Sequence, residues 1–313
     1  MMHAFASLVW LSLAANQPGA GIPDNLPETQ TQDEVIEATS ERYERMTVPV
    51  TIEGQGPFRF MIDTGAEATV ITRGMEERLQ LQHAGTAMLV GMASVQQVEL
   101  FDVDRLELGS RMIDNIQAPL LERQNIGADG IVGLDVLQDL RVLIDFRDNS
   151  IAVADAGERT SNKGFDIVVR AKRRDGQLLI TDAMIDGIRT AVIIDTGAQG
   201  SLGNMALRRK LRTRYEGKAV STDVHGTQLM SDLALVDRLD IDGLSLTNLA
   251  VTFADTPAFD ALGLNDRPAL SLGMWHLKMF ERVAIDFSKR RVLFDLPKSG
   301  GRKPLREIFP PQG

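Results

Sequence analysis

The chain has 313 residues, a formal net charge of −9, and no cysteine. The acidic balance, with no long basic run, lacks the electrostatic footprint of a nucleic-acid binder. Without cysteine there is no disulfide framework, no zinc–thiolate site and no thiol for a lipid anchor, and the length allows two domains of ordinary size.

Residues 1–20, MMHAFASLVWLSLAANQPGA, hold an apolar stretch from Ala4 to Ala15 followed by small residues. This is the pattern of a secretory signal, although only His3 stands where a Lys or Arg is usual. It predicts an exported protein, periplasmic or secreted; a misassigned start would leave the chain cytoplasmic. The stretch is shorter than the roughly 20 residues a bilayer span requires, so no permanent span is expected. Residues 21–46 read as a linker rich in Pro, Gly, Thr and Gln, then a weak helical pattern over Asp33 to Met46. That segment is either a short surface helix or a removable pro-segment over the first lobe.

Residues 47–157 form a first lobe. Val48, Val50 and Ile52 alternate with polar positions, the GQGP turn follows at Gly54 to Pro57, and Phe58, Phe60 and Ile62 continue to Asp63. This is a hairpin that delivers Asp63 to a strand end. Thr69 to Ile71 reads as strand and Gly74 to Leu81 as one or two helical turns. Leu89 to Leu100 gives two extended arms around a Gly-Met-Ala-Ser tip. Two strands follow about the Gly109-Ser110 turn, then Gly130 to Gly133, a helix starting near Asp135, the strand Val142 to Phe146 and a last arm, Ile151 to Ala154. The polar stretch Ala156 to Gly164 reads as the connection to the second lobe.

Residues 158–297 form that lobe, which opens with a hairpin about the Ile185 to Ile188 turn and reaches Asp195. Asn204 to Leu211 reads as a clearer helix than its counterpart. Ser221 to Met230, STDVHGTQLM, is a second loop with His225-Gly226 at its tip. Strands are predicted at Leu233 to Ile241, Leu246 to Phe253, Ala269 to Gly273, Trp275 to Phe280 and Val283 to Leu296. Residues 298–313 read as a loose Pro/Gly/basic tail.

One feature repeats. FMIDTGAEATVIT, Phe60 to Thr72, and AVIIDTGAQGSLGN, Ala191 to Asn204, are apolar runs ending in Asp-Thr-Gly-Ala. Downstream of each stands a short strand-like element ending in Gly, Ile131-Val132-Gly133 and Ser271-Leu272-Gly273, and then an Ile-Asp-Phe, with Asp145 and Asp286. The same landmarks in the same order mark internal duplication.

These residues resemble the aspartic protease superfamily, and the DTGA with its glycine element is most similar to the retropepsin-like branch found in bacteria. The resemblance runs from about residue 45 to 297. It implies an all-β, bilobal fold with a central cleft, an aspartic-type endopeptidase without cofactor or metal, and a peptide or protein substrate. One chain would then act as a monomer, an intramolecular pseudo-dimer. The catalytic pair would be Asp63 and Asp195, with Thr64, Gly65 and Ala66 and Thr196, Gly197 and Ala198 supporting the two loops. The loops with Met92 and Ser94, and with His225 and Gly226, stand where this family places substrate-covering flaps, though neither has the flap Tyr. Glu67 and Gln199 follow the DTGA where the retroviral pattern contacts substrate backbone; a solvated turn role fits them as well.

The chemistry asks for this pairing. Hydrolysing an amide without a metal or a nucleophilic side chain requires a base to take a proton from water and an acid to polarise the carbonyl. Two carboxylates sharing a site hold one proton between them and supply both. The sequence leaves open which Asp is base and which is acid. Glycines at 65 and 197 permit a tight loop, and the threonine hydroxyls suit a cross-lobe lattice. Ala66 and Ala198, where pepsin-like enzymes have Ser or Thr, remove a hydroxyl from each carboxylate and predict an optimum less acidic than that of stomach pepsins.

Other readings weigh less. His83, His225 and His276 show no ligand spacing, so no metal site is expected. Gly197, Gly200 and Gly203 imitate a dinucleotide loop, but the spacing is wrong and the first copy lacks the later glycines. The alternative to an enzyme is a non-catalytic peptide-binding protein on the same fold.

Overall fold

Burial along the first hairpin shows why its residues form strands. Val48, Val50 and Ile52 of Met46–Ile52, and Phe58, Phe60 and Ile62 of Gln55–Ile62, all turn to one buried face. Glu53 and Gly54 take the positive φ that a tight hairpin turn needs. The computed structural model describes residues 3–5, 10–12, 34–37, 39–40, 46–155, 162, 164–174, 176–212 and 215–297. It is an all-β molecule with short helices and two multi-stranded lobes.

The first lobe is a nine-stranded sheet in the order Trp10–Ser12, Gln82–Val90, Val95–Leu108, Arg111–Leu121, Val70–Thr72, Gly130–Val132, Gln55–Ile62, Met46–Ile52, Thr39–Ser40. The second lobe repeats it with His3–Phe5, Tyr215–Thr222, Gln228–Ile241, Leu244–Phe253, Ser201–Gly203, Ala269–Leu272, Ile188–Ile194, Gln177–Ile185 and Lys172–Arg174. In each, a long strand folds back to pair with the hairpin, Val50 with Leu108 and Ile185 with Leu239. The duplication seen in the motifs therefore extends to strand order.

A third, six-stranded sheet joins the lobes. Strand Leu140–Asp145 of the first pairs antiparallel with Arg282–Asp286 of the second, Val142 opposite Ile285. A large apolar cluster, with Phe60, Ile144, Val283 and Phe294, runs through this sheet and both lobes. Asp145 and Asp286 end these strands and accept turn amides, from Arg147 and Asp148 and from Lys289.

Four sequence expectations change. The pattern over Asp33 to Met46 forms strands Glu34–Glu37 and Thr39–Ser40, because pairing with Ser150–Val153 and with Met46–Thr47 supplies backbone partners that outweigh a weak helical periodicity. Trp275 to Phe280 is not strand but the helix Met274–Leu277, whose first amides bond to Ala198 and Gln199 carbonyls. Val283 to Leu296 is two strands, Arg282–Asp286 and Arg291–Asp295, about a turn with Arg290 at φ 51°. The helix after Asn204 spans only Met205–Arg208, shorter than Arg73–Leu79 in the first lobe. Asn204 is its cap, accepting from the Leu207 amide, and is itself fixed to the Leu264 and Arg267 carbonyls.

A further helix, Pro257–Ala261, lies between Leu244–Phe253 and Ala269–Leu272; Thr256 caps it and Pro257 opens it. Of the predicted signal, His3–Phe5 lies parallel to Val220–Thr222 and Trp10–Ser12 antiparallel to Met88–Val90, and the other residues of 1–20 lie outside the described residues. The tail 298–313 and most of the predicted connection also lie outside them.

Candidate active site

Each strand that precedes a DTGA ends at the interface between the lobes. The Asp63 amide donates to the Val132 carbonyl and the Asp195 amide to that of Leu272, both at 3.1 Å. Beyond this point the chain turns sharply about its own carboxylate. Asp63 Oδ1 accepts from the Gly65 and Ala66 amides at 2.8 and 3.1 Å, and Asp195 Oδ1 from the Gly197 and Ala198 amides at 3.1 and 2.9 Å. Both Asp residues are wholly buried, at 0% exposure.

The two loops face each other so closely that glycine is required. A Cβ on Gly65 would stand 2.9 Å from Asp195 Oδ1, and one on Gly197 would collide with the Asp63 carboxylate. Each glycine thus lies against the carboxylate of the other lobe. The threonines lock this arrangement. The Thr64 amide donates to Thr196 Oγ1 at 3.0 Å and the Thr196 amide to Thr64 Oγ1 at 3.2 Å, while their hydroxyls donate across to Ile194 and Ile62 carbonyls at 2.8 and 2.7 Å.

The elements ending in Gly133 and Gly273 brace the loops from behind. Leu134 N donates to Ala66 O, and Met274 N to Ala198 O. Side chains at Gly133 and Gly273 would collide with the Ala68 and Gly200 backbone, so these glycines serve close approach rather than unusual φ. In the first lobe Thr69 joins this brace, accepting from Gly133 N and donating to Asp135 Oδ1 at 2.6 Å. Burial raises the Asp135 carboxyl above its ordinary range, against the hydrogen bonds from Thr69 and Val136. In the second lobe Ser201 accepts from Gly273 N and meets His276 Nδ1 at 2.7 Å. Burial pushes His276 down to about 4, which keeps it neutral over most of the acidic range.

The predicted flaps meet tip to tip. Gln82–Val90 and Val95–Leu108 are the arms of the first, and Tyr215–Thr222 and Gln228–Ile241 those of the second. Asp223, almost fully buried, clasps both tips. It accepts from Ala93 N and Ser94 Oγ of one flap and from His225 N and Thr227 N of its own, at 2.7 to 3.1 Å. His225 Nε2 lies 3.1 Å from Leu89 O. Met92 belongs to the buried cluster that contains Ala198, and Val224 to the one that contains Ala66. Each flap tip therefore packs toward the Asp loop of the opposite lobe.

Ser94, His225 and Gly226 stand together at this junction, whereas Met92 is buried in the apolar cluster beneath it. Glu67 and Gln199 are half-buried, their carbonyls accepting from Asp135 N and Trp275 N. Three residues escaped the sequence reading. Asp223 could have been found as an Asx residue opening the turn to Gly226. Gln177, whose Nε2 donates to Gly65 O across the lobes at 2.9 Å, left no signal beyond being polar in a buried strand. Ser271 donates to Asp195 Oδ2 at 2.8 Å and shows in sequence only as a hydroxyl where the first copy has Ile131. It gives Asp195 a side-chain hydroxyl from a position other than Ala198.

Among the described residues no three His, Asp or Glu side chains gather as a metal ion would need, and no helix is long and apolar enough to cross a membrane. Comparison with family models matches residues 48–139 to the family described as "gag-polyprotein putative aspartyl protease" and residues 181–275 to "Aspartyl protease". The matches fall in tandem, one in each lobe, and together cover more than half of the chain. The chain belongs to the aspartyl proteases. It is an aspartic-type peptidase with two such domains in one polypeptide, and its substrates are peptides. No curated protein matches it.

Proposed function

We propose that the protease is a single-chain endopeptidase whose catalytic pair is Asp63 from one lobe and Asp195 from the other. The observation that carries this is the reciprocal approach of Gly65 and Gly197 to the opposite carboxylates, tied by the Thr64–Thr196 lattice. Two buried carboxylates brought to one place cannot both ionise cheaply, so they hold one proton between them. One takes a proton from water as that water's oxygen bonds to the scissile carbonyl carbon, and the other gives its proton to the carbonyl oxygen. When the tetrahedral intermediate collapses, the C–N bond breaks, the departing nitrogen takes the proton held by the base, and a hydroxyl proton returns to the acid.

The substrate lies extended between the flaps and the Asp loops, bound by strand-like hydrogen bonds and apolar pockets. Both halves of the dyad lie in one polypeptide, so a monomer suffices. The apolar stretch Ala4 to Ala15 supports export, with envelope or extracellular proteins as substrates.

The test is hydrolysis of an unfolded protein from pH 3 to 7 by wild type, Asp63→Ala and Asp195→Ala. Cleavage by wild type and none by either folded variant is expected. A folded wild type that binds peptides and cuts none would instead favour the peptide-binding reading.

A further inference from the structure

The two lobes match in backbone around the dyad, and the strand behind each carboxylate carries Ser271 in the second lobe and Ile131 in the first. Asp63 and Asp195 each receive two amides of their own loop on Oδ1. Asp195 Oδ2 receives in addition the hydroxyl of Ser271 at 2.8 Å, from a side chain with 0% exposure. Ile131 occupies the equivalent place beside Asp63 and has no hydroxyl to give. A hydrogen bond donated to a carboxylate favours its charged form, and does so strongly where water is excluded.

We infer that Ser271 is a positioning residue that breaks the symmetry of the dyad, holding Asp195 as the carboxylate that takes the proton from water and leaving the shared proton on Asp63. This rests on the reading of Asp63 and Asp195 as the catalytic pair. Asp195 accepts a proton from the attacking water while the water oxygen bonds to the carbonyl carbon, and Asp63 protonates the carbonyl oxygen. As the C–N bond breaks, the proton held by Asp195 passes to the leaving nitrogen and the hydroxyl proton returns to Asp63. Ser271 keeps its proton throughout.

The other titratable and charged groups on the surrounding elements include Arg59, Glu67 and Asp135 in the first lobe, Arg189 and His276 in the second, and Asp223 and His225 in the flap tips. Asp135 is bound to Thr69, His276 to Ser201, Arg189 to Asp182, Asp223 to the flap-tip donors and His225 to the Leu89 carbonyl. Glu67 is half-buried next to Ala66. The Ser271 hydroxyl bonds to Asp195 and to none of these, so a change there reads the dyad.

The two possible assignments give different pH profiles. If Asp195 is the ionised member, the Ser271 hydrogen bond favours the first ionisation of the pair and is already present before the second. Removing it then moves the acid limb of kcat/KM. If Asp63 were the ionised member, the bond would favour only the second ionisation, and the alkaline limb would move instead.

The experiment measures kcat/KM from pH 2.5 to 7.5 for wild type, Ser271→Ala and Ser271→Thr on one peptide, with circular dichroism to establish folding. The expected result is an acid limb shifted upward by about one pH unit in Ser271→Ala, an alkaline limb within a few tenths of wild type, and a return of the acid limb in Ser271→Thr. An unmoved acid limb, a shift of the alkaline limb in its place, or a folded Ser271→Thr that behaves like Ser271→Ala overturns the inference while leaving the protease reading standing. A folded wild type that cuts nothing at any pH overturns both.

Discussion

His276 sets a cost on acid stability that can be worked from its surroundings. Its imidazole is buried on the helix Met274–Leu277, against Ser201, and burial lowers it to about 4 from an unfolded value near 6.5. Between these values the unfolded chain takes up a proton at this residue and the folded chain does not. The stabilising contribution is therefore complete above about pH 6.5 and is lost as pH falls toward 4. A difference of about 2.5 units corresponds to about 3 kcal/mol at most. His276→Gln keeps a group able to reach Ser201 but cannot take the proton. Urea unfolding of both proteins at pH 7, 5.5 and 4 should show wild type losing about 3 kcal/mol more than the variant. Asp135, raised by burial, acts in the opposite direction, losing stability as pH rises, but it is common to both proteins and cancels. Parallel pH dependences within about 1 kcal/mol would show that His276 is not held neutral, and the reasoning from its burial would fail.

Other consequences follow from the same geometry. Gly197→Ala should lower kcat by at least about 100-fold in a folded protein, because the new methyl displaces the Asp63 carboxylate; activity near wild type would mean that the loops tolerate separation. Thr196→Val removes both the donor to the Ile62 carbonyl and the acceptor of the Thr64 amide, leaving two buried groups unpaired. Chemical denaturation should register a loss of about 2–4 kcal/mol, and a loss under about 0.5 kcal/mol would contradict the lattice as a stabilising element. Asp223→Ala frees the donors of both flap tips. Amide deuterium exchange at Ala93, His225 and Thr227 should then quicken and KM should rise, whereas unchanged exchange would show that the tips are held by packing alone.

The duplication and the candidate site are legible in the sequence because both rest on short-range pattern. Alternating apolar residues mark the hairpins, and Asp-Thr-Gly-Ala recurs at the same place in each. What escaped reading depends on contacts between distant parts of the chain. Glu34–Glu37 becomes strand through pairing with Ser150–Val153, which no local propensity encodes. Met274–Leu277 is an apolar run that reads as strand until the carbonyls of Ala198 and Gln199 capture its first amides. Ser271 and Asp223 were in plain view as residue types. Their roles came from register: Ser271 because its strand lies parallel to the one ending at Asp195, and Asp223 because two flap tips 130 residues apart converge on it.

In the proposed mechanism one chain holds the complete site, and complementation between defective chains tests this. Asp63→Asn and Asp195→Asn would be assayed on one peptide separately and mixed at rising concentration, beside a dilution series of wild type. The mixture should be as inactive as its components, and wild-type activity per chain should not change on dilution. Activity restored by mixing, or falling as wild type is diluted, would place the two carboxylates on different chains and contradict the mechanism.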